Sequence, residues 1–293
     1  MTTPKRHHFV PRWYLEGFVE AKSGLLNVYD RKTKSFRRQK PREVMTIGRY
    51  YRQDWAPTGV DPDIFEKALG SKIEPNAKKA LERLINAPTE ATAEDTAAIL
   101  IYLESQRIRV PRQAETAKNL LMTVSLLHFP PELATALLKG QITISDGFRF
   151  DFMRMMTGQL HPFFSRMAWE VIEAEEGCSF VTSDSPVSFF NVAFVPPNEP
   201  GPGLLGTIVI FPIKSKYLLI MRHPEYVAGG QRSPIERIPE PQEREGGIYV
   251  TYGDKWNKQK VHRQNWTMFQ LSHRLIVGNS RAAVQRAVED DPE

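Results

Sequence analysis

Ile208-Val209-Ile210-Phe211-Pro212-Ile213, followed closely by Lys216-Tyr217-Leu218-Leu219-Ile220-Met221, decides the fold class. Both runs are short, apolar and rich in β-branched and aromatic side chains, and they read as buried strands. Cys178-Ser179-Phe180-Val181-Thr182 reads the same way, so the chain turns to sheet after Gly177. Val195-Pro196-Pro197-Asn198-Glu199-Pro200-Gly201-Pro202-Gly203 is a loop, and a second Pro- and charge-rich loop spans about His223 to Gly247. Trp256 to Ser272 suits a helix, Leu275-Ile276-Val277 a buried strand, and Glu289 to Glu293 a frayed acidic end.

The stretch that precedes the sheet is helical. From about Asp61, the spacing of Ile64, Phe65, Ala68 and Leu69 makes one apolar face, which Ala77, Ala80, Leu81 and Leu84 continue beyond a kink or restart at Pro75. Thr92 is the expected N-cap of a helix through Leu103. Further helices are expected over about Arg112 to Leu127, from Pro130-Pro131, over Phe148 to Met156 and over Phe163 to Ala174. Met153, Met155, Met156 and Met167 read as core fillers. Near the N-terminus, Leu25 to Tyr29 and Ser35 to Arg37 flank a polar turn and predict a hairpin, with another extended piece over Val44 to Arg52. The expectation is an α+β fold: an N-terminal β-hairpin region, a mainly helical middle, and a C-terminal mixed or antiparallel sheet with helices. It is read as one elaborate domain over 1–293, with regions at 1–60, 61–176 and 177–293.

Composition narrows the function classes. The 293 residues, 41% hydrophobic and 25% charged, are those of an ordinary soluble globular protein. No apolar run approaches the roughly 20 residues of a membrane span, and the cationic start lacks the apolar stretch of a secretory signal. A single cysteine, Cys178, excludes an internal disulfide and a cysteine-rich zinc site. A cytoplasmic location is the simplest expectation. Charge is uneven: residues 1–60 hold 13 Lys or Arg against 5 Asp or Glu, a balance of +8 within a chain of net +5. Arg31 to Arg42 carries seven cations in twelve residues. Such a cluster binds phosphate backbones without reading sequence, or simply forms a solvated hairpin.

The candidate chemistry begins at Lys5-Arg6-His7-His8-Phe9-Val10-Pro11-Arg12-Trp13-Tyr14-Leu15-Glu16-Gly17-Phe18. Adjacent imidazoles offer a metal ligand or general base, and in an extended backbone His7 and His8 must point to opposite faces. Glu66 and Glu74, eight residues apart, fall roughly on one helix face if the helix continues through Pro75. Glu74 can polarise an imidazole or ligate a metal; ordinary ion pairing with nearby lysines is the competing reading. Gln106-Arg107-Ile108-Arg109-Val110-Pro111-Arg112 supplies guanidinium forks for a carboxylate or phosphate. Asp184, between the Phe180-Val181 strand and Pro186, can bind a cation, orient a histidine or cap its own turn. The remaining histidines lack zinc-finger or metalloprotease spacing, and Ser183-Asp184-Ser185 lacks a hydrolase elbow.

These segments also carry a resemblance. His7 to Phe18 is similar to the start of the bacterial domain of unknown function 4238 family, whose pattern is paired histidine, Val-Pro, aromatic-Leu and Phe. Glu66 with Ile73-Glu74, Gln106 to Arg112, and Phe180-Val181-Thr182-Ser183-Asp184-Ser185-Pro186-Val187 resemble later segments of the same family. Ser185 stands where the family pattern has Asn, so its hydroxyl would have to replace any hydrogen bond of that Asn. The resemblance implies a functional role for at least one histidine and places Asp184 facing His7, His8 or Arg109. It implies no reaction.

The leading expectation is a phosphodiester-cleaving enzyme, a metal-dependent nuclease. In it His8 is general base or ligand with His7 its partner, Glu74 and Asp184 are metal ligands or orienting acids, Gln106 belongs to the same polar cluster, and Arg109 is a phosphate clamp. The metal set is His8, Glu74 and Asp184, with a divalent ion of open identity as cofactor. DNA or RNA is the expected partner of the basic N-terminal region, no membrane partner is expected, and the oligomeric state stays open. The His-His-x-Val-Pro phrase also resembles histidine-centred nuclease toxins, whose downstream Asn and His are not recognisable here. The alternative is a noncatalytic nucleic-acid-binding or interaction protein, such as an accessory protein of bacterial phage defence.

Overall fold

The predicted hairpin forms: Asp30 pairs with Ser35 across a polar turn, and the first strand is buried along nearly its whole length while the second stays partly exposed. The structure, a computed structural model, describes residues 6–54, 56–145, 147–196, 198–238 and 248–289. Its strands are β1 (Arg6–His8), β2 (Leu26–Asp30), β3 (Ser35–Gln39), β4 (Thr46–Gly48), β5 (Ala168–Glu173), β6 (Thr182–Ser183), β7 (Ser188–Phe190), β8 (Ile208–Lys214), β9 (Tyr217–Arg222), β10 (Val250–Tyr252) and β11 (Leu275–Gly278). Its helices are α1 (Arg12–Leu15), α2 (Ile64–Ala68), α3 (Glu74–Asn86), α4 (Ala93–Ile108), α5 (Pro111–His128), α6 (Pro131–Leu138), α7 (Phe148–Met156), α8 (His161–Arg166), α9 (Lys258–Leu271) and α10 (Arg281–Glu289). The class is α+β, as the pattern of runs predicts. The predicted acidic end beyond Glu289 and part of the second loop, 239–247, lie outside the described residues.

Three sheets organise the chain. β1 and β4 form a short antiparallel ribbon. The hairpin β2-β3 does not stand alone: it joins C-terminal strands in the order β3-β2-β11-β6, with every pairing antiparallel. The mixed sheet runs β10-β5-β9-β8-β7, parallel only at β10-β5. Alternation along β8 splits its buried residues between two cores. Val209, Phe211 and Ile213 join a large cluster with Phe9 and Val10 and with residues of α1, α3 and α4, while Ile210 faces a smaller one beneath α9 and α10. The larger core thus draws on all three sequence regions. No helix among the described residues is long and apolar enough to cross a membrane.

Four expectations need correction, the first being the strand predicted over Cys178 to Thr182, of which only Thr182 belongs to one, β6. The helix predicted over Phe163 to Ala174 stops at Arg166, and Ala168–Glu173 is β5, paired with β9 along its whole length. There Trp169 and Val171 enter one core and Ile172 the other, so a period of two overrides the helical spacing. The extended piece at Val44 to Arg52 shortens to β4 because Met45 (φ 55°) and Arg49 (φ 50°) adopt left-handed backbone on either side of it. Met155 is 64% exposed, whereas Met153 and Met167 are buried. Helix α10 has no counterpart in the sequence reading, although Ser280 caps it through the Ala283 amide (3.1 Å).

The Thr92 cap is present: its hydroxyl accepts from the Asp95 amide at 3.3 Å, and the Asp95 carboxylate accepts from the Thr92 amide at 3.0 Å. Thr92→Ala is therefore expected to cost about 1 kcal/mol in urea unfolding, and a loss below about 0.3 kcal/mol would contradict the cap's contribution.

Candidate functional site

The paired histidines diverge as an extended strand requires. His7 is fully buried, its Nδ1 accepting from the Tyr51 amide (2.9 Å) and its ring stacked on Tyr51 at 5.8 Å and 13°. A neutral His7 therefore carries its proton on Nε2. His8 is half-buried, with a ring hydrogen bond to the Pro41 backbone. Proline has no amide hydrogen, so the ring donates to its carbonyl. Because Nε2 has no hydrogen-bond partner among the described residues, Nδ1 is the donor and Nε2 keeps its lone pair. Burial pushes the His8 pKa below its ordinary value, with Arg12 and Arg6 assisting and the Pro41 bond and Glu74 opposing.

Glu74 owes its position to an irregular helix. Pro75 has no amide hydrogen to continue an α-helical ladder. The residues before it, Leu69–Ile73, form a π-helical turn in which the Glu74 amide reaches the Leu69 carbonyl five residues back. Eight residues of uninterrupted α-helix would leave Glu66 and Glu74 about 80° apart. The wider turn rotates less per residue and reduces that offset. Glu74 Oε1 accepts from Arg109 Nη1 at 2.8 Å and its Oε2 from Trp13 Nε1 at 3.2 Å.

Arg109 is the centre of this arrangement. It caps α4 yet turns its guanidinium inward, where it is only 1% exposed. Gln106 Oε1 accepts from Arg109 Nε at 2.9 Å and also from Nη2, while Gln106 Nε2 donates to the Phe9 carbonyl at 3.0 Å. Tyr51 and Tyr102 lie within electrostatic reach, and burial holds both phenols above their ordinary pKa. Neither hydroxyl has a well-aligned hydrogen bond among the described residues. Half-buried Glu66 lies within reach of Arg109, Glu74 and Asp63. Burial, assisted by the two carboxylates and opposed by Arg109, pushes its pKa up to about 7.

Thus His7, His8, Glu74, Gln106 and Arg109, far apart in sequence, share one polar hub. Asp184 does not join it. Its Oδ1 accepts from the His273 amide (3.0 Å) and its Oδ2 from the Arg274 and Leu275 amides (2.7 and 2.9 Å), so it clamps the start of β11 instead of facing His7, His8 or Arg109. The expected metal set of His8, Glu74 and Asp184 is accordingly not assembled: Asp184 is committed to backbone and Glu74 to Arg109 and Trp13. Among the described residues no group of three or more His, Cys, Asp or Glu could hold a metal ion. Nor is Arg109 placed as a surface clamp, because Glu74 and Gln106 occupy its fork. Ser185 Oγ is buried with no hydrogen bond among the described residues, so it does not stand in for an Asn side chain.

The neighbouring cations divide between structure and surface. Arg107 makes a bidentate pair with Glu199 (3.1 and 2.7 Å) and lies over the Phe189 ring. In the basic hairpin, Arg37 pairs with Asp30, which Arg274 also grips, and Arg31 donates to carbonyls at the end of α9. These bonds hold the Asp30 carboxyl well below its ordinary pKa. Lys32, Lys34 and Lys40 stay exposed. Arg6, Arg37, Arg112 and Arg274 border a cleft of about 440 Å³ beside Asp184, together with Glu43 and Glu115. Tyr51, Tyr102 and Glu199 had no signal in the sequence that marked them for these roles; the eight-residue spacing to Glu74 was the clue to Glu66.

The family described as Protein of unknown function (DUF4238) matches residues 6–282, and the chain belongs to it. No curated protein and no solved structure matches it.

Two outcomes check these assignments. Asp184→Ala leaves three amides without their acceptor and should lower unfolding free energy by at least about 3 kcal/mol, against under 1 kcal/mol if Asp184 were only a surface ligand. A raised Glu66 pKa means that the folded state loses stability as pH rises from the unfolded value near 4.5 through about 7. Glu66→Gln should therefore match wild type in thermal melting near pH 4.5 and exceed it at pH 8, while equal melting at both pH values would contradict the raised pKa.

Proposed function

We propose that the chain is a phosphodiester-cleaving enzyme that works by general acid–base chemistry, with His8 as base and Glu66 as acid. The observation that carries this reading is the opposite displacement of two groups that both lie within electrostatic reach of Glu74. His8 is held neutral with a lone pair on Nε2, and Glu66 retains its proton to about pH 7. Groups tuned in this way cluster at catalytic sites, as do π-helical turns. His8 Nε2 is shielded from solvent in the free protein, so in the proposed step substrate binding opens it to the water whose proton it takes as the oxygen attacks phosphorus. The phosphorus–oxygen ester bond then breaks, and Glu66 gives its proton to the leaving oxygen. Exchange with solvent returns each group to its starting state. Glu74 and Arg109 act as positioning residues, and the exposed cations of the basic hairpin, Lys32, Lys34 and Lys40, attract the phosphates on either side.

A second reading, binding of nucleic acid without turnover, is favoured by the engagement of Gln106, Arg109, Glu74 and Asp184 with other parts of the protein. The two readings separate in assays on mixed DNA and RNA at several pH values, with and without chelator. The enzyme reading expects cleavage that survives chelation and falls at least roughly a hundredfold in His8→Ala. It also expects a bell-shaped pH profile: the rate rises as His8 loses its proton and falls above about pH 7 as Glu66 does, and Glu66→Gln removes the alkaline limb. Folded, inactive protein that binds nucleic acid with a steep salt dependence, unchanged in His8→Ala, would establish the second reading instead.

A further inference from the structure

On the face of β8 opposite the Arg109 hub, a groove of about 580 Å³ opens between β7, β8 and α9. Ile208 and Ile210 line it, whereas Phe211, in the alternate register, lies 6.1 Å from Tyr102 beside the hub. Its walls include the aromatic rings of Phe190, Trp256 and Trp266. Lys260 and Arg263, one helical turn apart on α9, also line it and are exposed. Gln264 completes the set. It is 8% exposed, and its amide Nε2 has no hydrogen-bond partner among the described residues.

These side chains match the parts of one ligand class. Aromatic rings take the π-face of a base, cations take phosphate, and a buried amide donor takes a base acceptor. A purely apolar ligand would use neither the cations nor Gln264, and a bare anion would not need three aromatic rings. We infer that this groove is a nucleotide-binding site, in which Trp256, Trp266 and Phe190 hold the base, Gln264 Nε2 donates to it, and Lys260 and Arg263 hold its phosphate. The inference stands apart from the acid–base proposal, because no residue of the groove belongs to the hub.

A buried amide left without a partner costs stability, so Gln264→Leu provides a variant whose folding is not at risk. Calorimetric titration of the full chain with adenosine 5′-monophosphate, adenosine, inorganic phosphate and a ten-nucleotide single strand tests the site. The expected result is that the monophosphate binds roughly tenfold more tightly than adenosine, and phosphate alone gives no heat. Lys260→Ala/Arg263→Ala should bring the monophosphate to the level of adenosine. Trp266→Ala should lose both, and Gln264→Leu should weaken the monophosphate without lowering the melting temperature. Tighter binding of the strand identifies a single-stranded chain as the source of the nucleotide, and equal binding identifies the free mononucleotide. No heat from either, equal affinity for adenosine and its monophosphate, or wild-type affinity in Gln264→Leu would overturn the proposal. A protein that cleaves nucleic acid but gives no heat here would lose the groove and keep the acid–base site.

Discussion

A guanidinium with almost no exposure to water is the constraint around which this protein is arranged. Burying Arg109 is tolerable only because Glu74 neutralises it and Gln106 accepts from its remaining face. Each partner then reaches further. Gln106 holds the Phe9 carbonyl at the end of β1, and Glu74 holds the Trp13 indole on α1. One cation thereby joins the opening motif to α3 and α4, elements otherwise separated by dozens of residues. The π-helical turn before Pro75 fits the same logic, since it sets the carboxylate at the distance the guanidinium requires.

The chemistry proposed for His8 and Glu66 follows from that arrangement. Arg109 draws the proton off Glu66, while burial and the Glu74 charge hold it on, and the latter prevail. The other acid of the motif set, Asp184, serves a separate structure. It binds three consecutive amides at the start of β11, and Asp30 in the paired strand β2 gathers Arg37 and Arg274. Two acidic anchors thus hold the small antiparallel sheet, and one basic anchor holds the hub. A groove suited to a nucleotide occupies the far side of the mixed sheet.

Much of the architecture was legible because local signals agreed with tertiary need. The β2-β3 hairpin, the Thr92 cap and the α9 helix each have a turn, cap or period that packing reinforces. The Ala168–Glu173 segment misled because it follows a true helix start at His161-Pro162, and its strand character shows in its pairing with β9 and β10. In the hub, residue types announced themselves: paired imidazoles, a glutamate beside proline, and a run of arginines. Their partners did not. Nothing in the spacing of Asp184 reveals that its acceptors would be spent on amides ninety residues away, and nothing near Tyr51 signals that its amide fixes His7. Long-range pairing of this kind is a property of the fold rather than of any window of sequence.

The Arg109–Glu74 pair holds the hub together, and a double-mutant cycle in chemical unfolding measures how strongly. Arg109→Met and Glu74→Met should each cost about 3–5 kcal/mol, because each strands its partner's charge, and the double variant should cost clearly less than their sum. Small single effects that simply add would show that the pair is incidental and that the opening motif is held to α3 and α4 by apolar packing alone.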